Sequence, residues 1–118
     1  MFSVIDIDIY RSAAAAIDEQ FEMELVNTAL PDEQEMLQQM RQALAKRLEF
    51  LLSHDPEHLK WILYRIDISE QKVLEILAHN VTDKAVLLIA DLIIERQVQK
   101  AITRRQYSKG NGEMSFDL

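Results

Sequence analysis

The placement of glycine constrains this chain more than any motif it carries. Both glycines, Gly110 and Gly112, fall in the last nine residues, and positions 1–109 contain none. Phosphate-cradling loops, dinucleotide-binding turns and two-residue hairpins all need residues that take positive φ or let a ligand approach the backbone, so none of these is expected over that stretch. With two prolines and many Ala, Leu, Glu, Gln, Lys and Arg, the same stretch is helical by composition. A chain of 118 residues is one domain of ordinary size, able to bury about two-thirds of its unfolded surface without cross-links.

The chain has no cysteine. That removes thiol catalysis, thiolate metal sites and iron–sulfur ligation, and suits a reducing cytoplasm. The opening MFSVIDIDIY places Asp6 and Asp8 where a secretion signal would be apolar, and no apolar run approaches the roughly 20 residues of a membrane span. A cytoplasmic protein with no membrane association is the expectation.

Residues 4–10, VIDIDIY, alternate apolar and acidic with the period of a strand. One short strand has nothing to pair with, so these residues are expected as an extended arm leading into the first helix. Ala14, Ile17, Phe21 and Leu25 share a helical face, which predicts a helix over about 11–26 that stops at Asn27, a residue tolerant of the left-handed conformation. Pro31 and the acids Asp32, Glu33 and Glu35 suit the start of a second helix, whose apolar stripe is Leu37, Met40, Leu44, Leu48 and Leu51. Its Arg41, Lys46 and Glu49 are left to solvent. In HDPEH, 54–58, Asp55 is a natural N-cap, Pro56 fits the first helical position and Glu57 sits in the first turn.

WILYRIDISEQKV, 61–73, looks strand-like at first, but Leu59, Ile62, Leu63 and Ile66 continue a helix through it. RIDIS is then a tight corner, with Asp67 or Ser69 capping a fourth helix whose face is Val73, Leu74 and Leu77. That helix closes at Asn80, with Val81 placed for the apolar contact of a left-handed cap. Thr82 and Asp83 open the last helix, about 83–107. Its first half, AVLLIADLII at 85–94, is apolar on nearly every side, which requires packed neighbours all round. The fold class expected is all-α: a bundle of about five helices over 1–107 with the long last helix central, followed by a disordered tail over 108–118.

The net charge of −7 is unevenly spread: residues 1–35 hold nine acids against Arg11, while 95–109 hold five bases against Glu95. Opposed blocks of this kind meet each other or a partner. The expectation is that the basic end of the last helix packs against the acidic N-terminal region, within the chain or across a two-fold axis. The apolar decamer 85–94 adds a reason to expect a homodimer, since only its Asp91 is left to face water.

Candidate chemistry is sparse. His54, Asp55, Glu57 and His58 are the densest group of metal-capable side chains, yet Pro56 starts a helix between the two histidines, and capping accounts for Asp55, Pro56 and Glu57 without a metal. Glu75 and His79 are four apart, but a metal site in a bundle would repeat that spacing on a second helix; a helix-terminal histidine is the role expected for His79. Asp91 and Glu95 could share a proton or a cation, although an acid in such a helix more often marks the solvent-facing line or accepts a partner's Arg. No catalytic, cofactor-binding or metal-ligating residue is assigned.

Trp61 and Arg65 fall opposite Leu59, Ile62 and Ile66 on the third helix. They form either an exposed anchor for a partner, since Trp and Arg dominate binding hot spots, or a completion of the core beside Tyr64. Arg96, Lys100, Arg104, Arg105 and Lys109 could contact phosphate, but the element after Asn80 lacks polar side chains to read bases and the whole-chain charge is unfavourable.

Two stretches, LYRIDISEQKV at 63–73 and LIADLIIERQVQKAITRRQY at 88–107, resemble segments of small helical bacterial proteins to which no activity is assigned. The resemblance implies a bacterial cytoplasmic protein and carries over no functional residue. The reading that follows is a non-enzymatic, self-associating interaction or regulatory protein with no cofactor and an unidentified protein partner. Its candidate contact residues are Trp61, Arg65, Arg96, Lys100, Arg104 and Arg105, and its alternative is nucleic-acid binding through the basic helix end.

Overall fold

In a computed structural model the chain forms five helices: α1 (Ile7–Phe21), α2 (Glu33–His54), α3 (Pro56–Arg65), α4 (Glu70–His79) and α5 (Thr82–Met114). The structure describes residues 7–25 and 33–114, and side chains over 8–25 and 34–106. The all-α class and the central position of the last helix are as expected: α5 packs against α1, α2 and α4, while α3 packs on α2 and α4.

One continuous apolar cluster runs through all five helices. Its deepest large side chains are Ile17 and Phe21 of α1, Met40, Leu44 and Leu48 of α2, Ile62 of α3, and Ile89 and Ile93 of α5. Within the decamer at 85–94, Ala85, Val86, Ile89, Ala90, Ile93 and Ile94 are buried, while Leu87, Leu88 and Leu92 are half-buried and Asp91 is exposed.

Several local expectations need correction. Residues 7–10 belong to α1 and are not an extended arm, because Ile9 is buried and joins Ala13, Ile17 and Phe21 in a stripe of four-residue steps. Residues 4–6, the stop at Asn27 and the start at Pro31 lie outside the described residues. The helix expected over 11–26 ends instead at Phe21, where Glu22 takes φ 58°. On α2 the buried stripe begins at Met36, 3% exposed, and Leu37 lies at 36%. Four-residue steps from Met36 through Met40, Leu44 and Leu48 keep one line on the core, and Leu37 falls beside it.

The two corners where helices end share one device. The Met23 N–H reaches back to the Asp18 carbonyl (3.1 Å) across Glu22, and the Ile68 N–H reaches the Leu63 carbonyl (3.0 Å) across Asp67 at φ 65°. At the second corner the Asp67 N–H also donates to the Tyr64 carbonyl (3.2 Å), which completes the paired hydrogen bonds that close a helix with a left-handed residue. Asp18 Oδ1 further accepts the Leu25 N–H at 2.7 Å, and Arg47 of α2 donates from Nε to the Phe21 carbonyl at 3.0 Å. That guanidinium also sits at the negative end of the α1 dipole.

Helix starts follow their capping residues. Asp55 accepts the His58 N–H (3.3 Å) with Pro56 at the first helical position, and Ser69 accepts the Lys72 N–H (3.2 Å) to open α4. Asn80 ends α4 in an extended conformation, φ −138°, with its side-chain amide donating to the Ile76 carbonyl at 2.9 Å. This cap is not left-handed, so it makes no use of an apolar contact, and Val81 is exposed. Leu74, expected on the buried face of α4, is exposed as well, while Val73 is buried and Ile76 and Leu77 are partly so. The tail expected over 108–118 has no described side chains, and 115–118 lie wholly outside the description.

The register of α2 is directly testable. Met36→Ala should destabilise the fold by about 2–3 kcal/mol in urea titration, as buried Met-to-Ala changes do, while Leu37→Ala should cost less than about 1 kcal/mol. A larger cost at Leu37 than at Met36 would mean that the stripe begins one residue later.

Candidate interaction site

Six large apolar side chains stand exposed among the described residues, and three of them, Trp61, Tyr64 and Leu74, line one groove between α3 and α4. The groove encloses about 540 Å³, and its floor is Leu59, Leu63, Ile68 and Val73. Its origin is local. The break at Asp55 separates α3 from α2, and the corner at Asp67 returns the chain as α4, leaving two ten-residue helices in contact with no third helix among the described residues over their outer surfaces. Leu63 and Ile68, joined by the backbone hydrogen bond of that corner, both line the groove.

Trp61 is 52% exposed, Tyr64 83% and Leu74 56%. Taking about 200 Å² for a large side chain, the three present roughly 400 Å² to solvent, within the range of patches that are functional on small proteins. Tyr64 does not complete the core, and Trp61 beside it is exposed. Arg65 lies over the Trp61 ring, 4.8 Å from its centroid, and His58 stacks on the other neighbour position at 6.2 Å between ring centres. An Arg stacked on an indole is held at low entropic cost, which rigidifies the anchor. Lys60 of α3 and Glu70 of α4 pair at 3.5 Å and tie the two walls together.

The remaining candidate residues are not brought to this groove. Arg96 donates to Asp67 Oδ2 at 3.1 Å, and Arg104 donates to Ser12 Oγ of α1 at 3.1 Å. Lys100 is half-buried and Arg105 exposed. The basic half of α5 therefore engages groups of its own chain at two points, one of them on α1. Trp61 and Arg65 are in contact; Arg96, Lys100, Arg104 and Arg105 form a separate region along α5.

The sites weighed for metal or acid–base chemistry take structural roles. His54 Nδ1 lies 3.0 Å from the Phe50 carbonyl with the two rings stacked at 4.2 Å, and His79 Nδ1 lies 2.8 Å from the Glu75 carbonyl. Both histidines thus sit at helix C-termini, where an imidazole satisfies an orphan carbonyl. Asp91 receives a bidentate contact from Arg41 of α2, at 2.7 and 3.0 Å. Arg41, expected to be left to solvent, is instead paired with this acid of its own chain, and the contact pins α2 to α5 at the surface. Among the described residues no group of three or more His, Asp or Glu side chains is placed to hold a metal ion. Nor is any helix among them long and apolar enough to cross a membrane.

The groove itself was missed by residue spacing. Of its three exposed residues, spacing marked only Trp61 as a candidate for exposure, and it assigned Leu74 to the buried face of the fourth helix. Compared with protein-family models, curated proteins and solved structures, the chain matches none.

A double-mutant cycle on Arg41→Met and Asp91→Asn should give a coupling of about 0.5–1 kcal/mol at low salt, since the pair is exposed though bidentate. A coupling near zero would show that the contact is not held in solution.

Proposed function

We propose that this protein is a non-enzymatic protein–protein interaction module whose docking face is the groove between α3 and α4. The observation that carries this reading is the convergence of Trp61, Tyr64 and Leu74 on one concave apolar surface. Buried aromatic anchors flanked by charged residues are the anatomy of an interaction hot spot. Short, mutually tied helices hold the anchors in place before any partner arrives, which lowers the ordering cost of association. A cysteine-free chain suits a reducing compartment, so a cytoplasmic setting belongs to the same reading.

The alternative of nucleic-acid binding through Arg96, Lys100, Arg104 and Arg105 gains less support. Arg96 and Arg104 already have partners within the chain, and a net charge of −7 opposes approach to phosphate.

Photo-crosslinking in the native cell tests the docking face. A photoreactive residue at position 64 or 74 should give a discrete adduct that the same residue at exposed Lys84, on the first turn of α5, does not give. Adducts of the same pattern from all three positions, or none from 64 and 74, would overturn the reading.

A further inference from the structure

Resting on that docking face, we infer that its occupant is a second copy of this chain, bound about a two-fold axis that lays the α3–α4 face of each copy against the other. Three observations lead there. The first is charge. The chain carries −7 overall, so two copies repel at most approaches, yet the charged residues on this face, Glu57 and Glu70 against Lys60 and Arg65, cancel. This face is one on which two acidic molecules meet without net repulsion, and a residue set of both signs can pair with itself across a two-fold axis.

The second is shape. A two-fold interface must be self-complementary, offering both a projection and a recess on one surface. Tyr64, 83% exposed, stands at the edge of the groove it lines, with Trp61 one turn earlier on α3, so ridge and recess lie side by side. A half-turn about an axis between them carries the ridge of each copy to the recess of the other.

The third is area. A stable dimer of ordinary size buries about 800 Å² per copy, a little over half of it apolar. The roughly 400 Å² offered by Trp61, Tyr64 and Leu74 is close to that apolar share. Glu57, Lys60, Arg65 and Glu70 supply the polar rim. Among the described residues, three of the six exposed large apolar side chains gather on this face, whereas no large apolar side chain of the 85–94 decamer is more than half-exposed.

Trp61 is the only tryptophan in the chain, so its emission reports on this face alone. The test follows mass by sedimentation equilibrium and Trp61 by acrylamide quenching over one concentration series. The expected result is a monomer–dimer transition with Trp61 losing quencher access over the same range. Leu74→Asp and Tyr64→Ala, both at exposed positions, should keep the helical circular dichroism and melting of the parent. Leu74→Asp, present twice in the interface, should raise the dissociation constant at least about 100-fold.

A mass that stays monomeric to millimolar concentration overturns the proposal. So does a dimer whose Trp61 remains open to acrylamide, or one that Leu74→Asp does not weaken. A monomeric mass together with a site-specific adduct at 64 and 74 of other than twice the chain mass would remove the second copy and keep the docking face. Adducts without positional preference would remove both.

Discussion

Ile89 and Ile93 of α5 and Leu44 and Leu48 of α2 are almost wholly removed from solvent, and the packing of these two helices on one another organises everything else. Each such side chain contributes about 1.5–3 kcal/mol by leaving water. None can do so until α5 has neighbours on several sides. The amphipathic faces of α1, α2 and α4 have the matching need, because each requires an apolar surface to cover. A helix apolar all round and three helices apolar on one side make a mutually dependent set, which favours all-or-none folding over stepwise accretion.

That dependence also explains where the molecule is left unfinished. α1, α2 and α4 spend their apolar stripes on α5, and α3 spends its stripe on α2 and α4. Among the described residues no helix is left to cover the outer surfaces of α3 and α4, each only ten residues long. A short helix holds one buried stripe, so large apolar residues beyond it must face outward. The groove is thus a product of helix length as much as of composition. The basic half of α5 has a different history: its Arg96 and Arg104 find Asp67 and Ser12 within the chain, and neither of these two partners is an acid of residues 1–35.

Much of this was legible from residue order because the strongest signals are local. Asp55–Pro56–Glu57 marked one helix start, Asp67 or Ser69 bracketed a second that proves to be capped by Ser69, and an apolar decamer marked what must lie at the centre. The errors arose where a local pattern carries two meanings. VIDIDIY alternates like a strand, yet Ile9 lies four residues before Ala13 and continues the helical face, and tertiary burial decides between them. Leu37 and Leu74 are as apolar as the buried residues next to them, and only the line of contact with α5 and α1 selects Met36 and Val73. The groove was illegible for a related reason: spacing along one helix shows which residues share a face, not whether another helix lies over it.

Glu22 and Asp67 hold the left-handed backbone that glycine adopts most easily, in a stretch of 109 residues where glycine is absent. A side-chain-bearing residue in that region costs about 1–2 kcal/mol in the folded state. Glycine there would relieve this but enlarge the freedom of the denatured ensemble, a penalty of about 0.5–1 kcal/mol. The second effect offsets about half of the first, so the stiffer unfolded polymer recovers part of what the strained corners cost. The corner at Asp67 sets the angle between the groove walls, and a residue with few alternative conformations holds that angle more narrowly than glycine would.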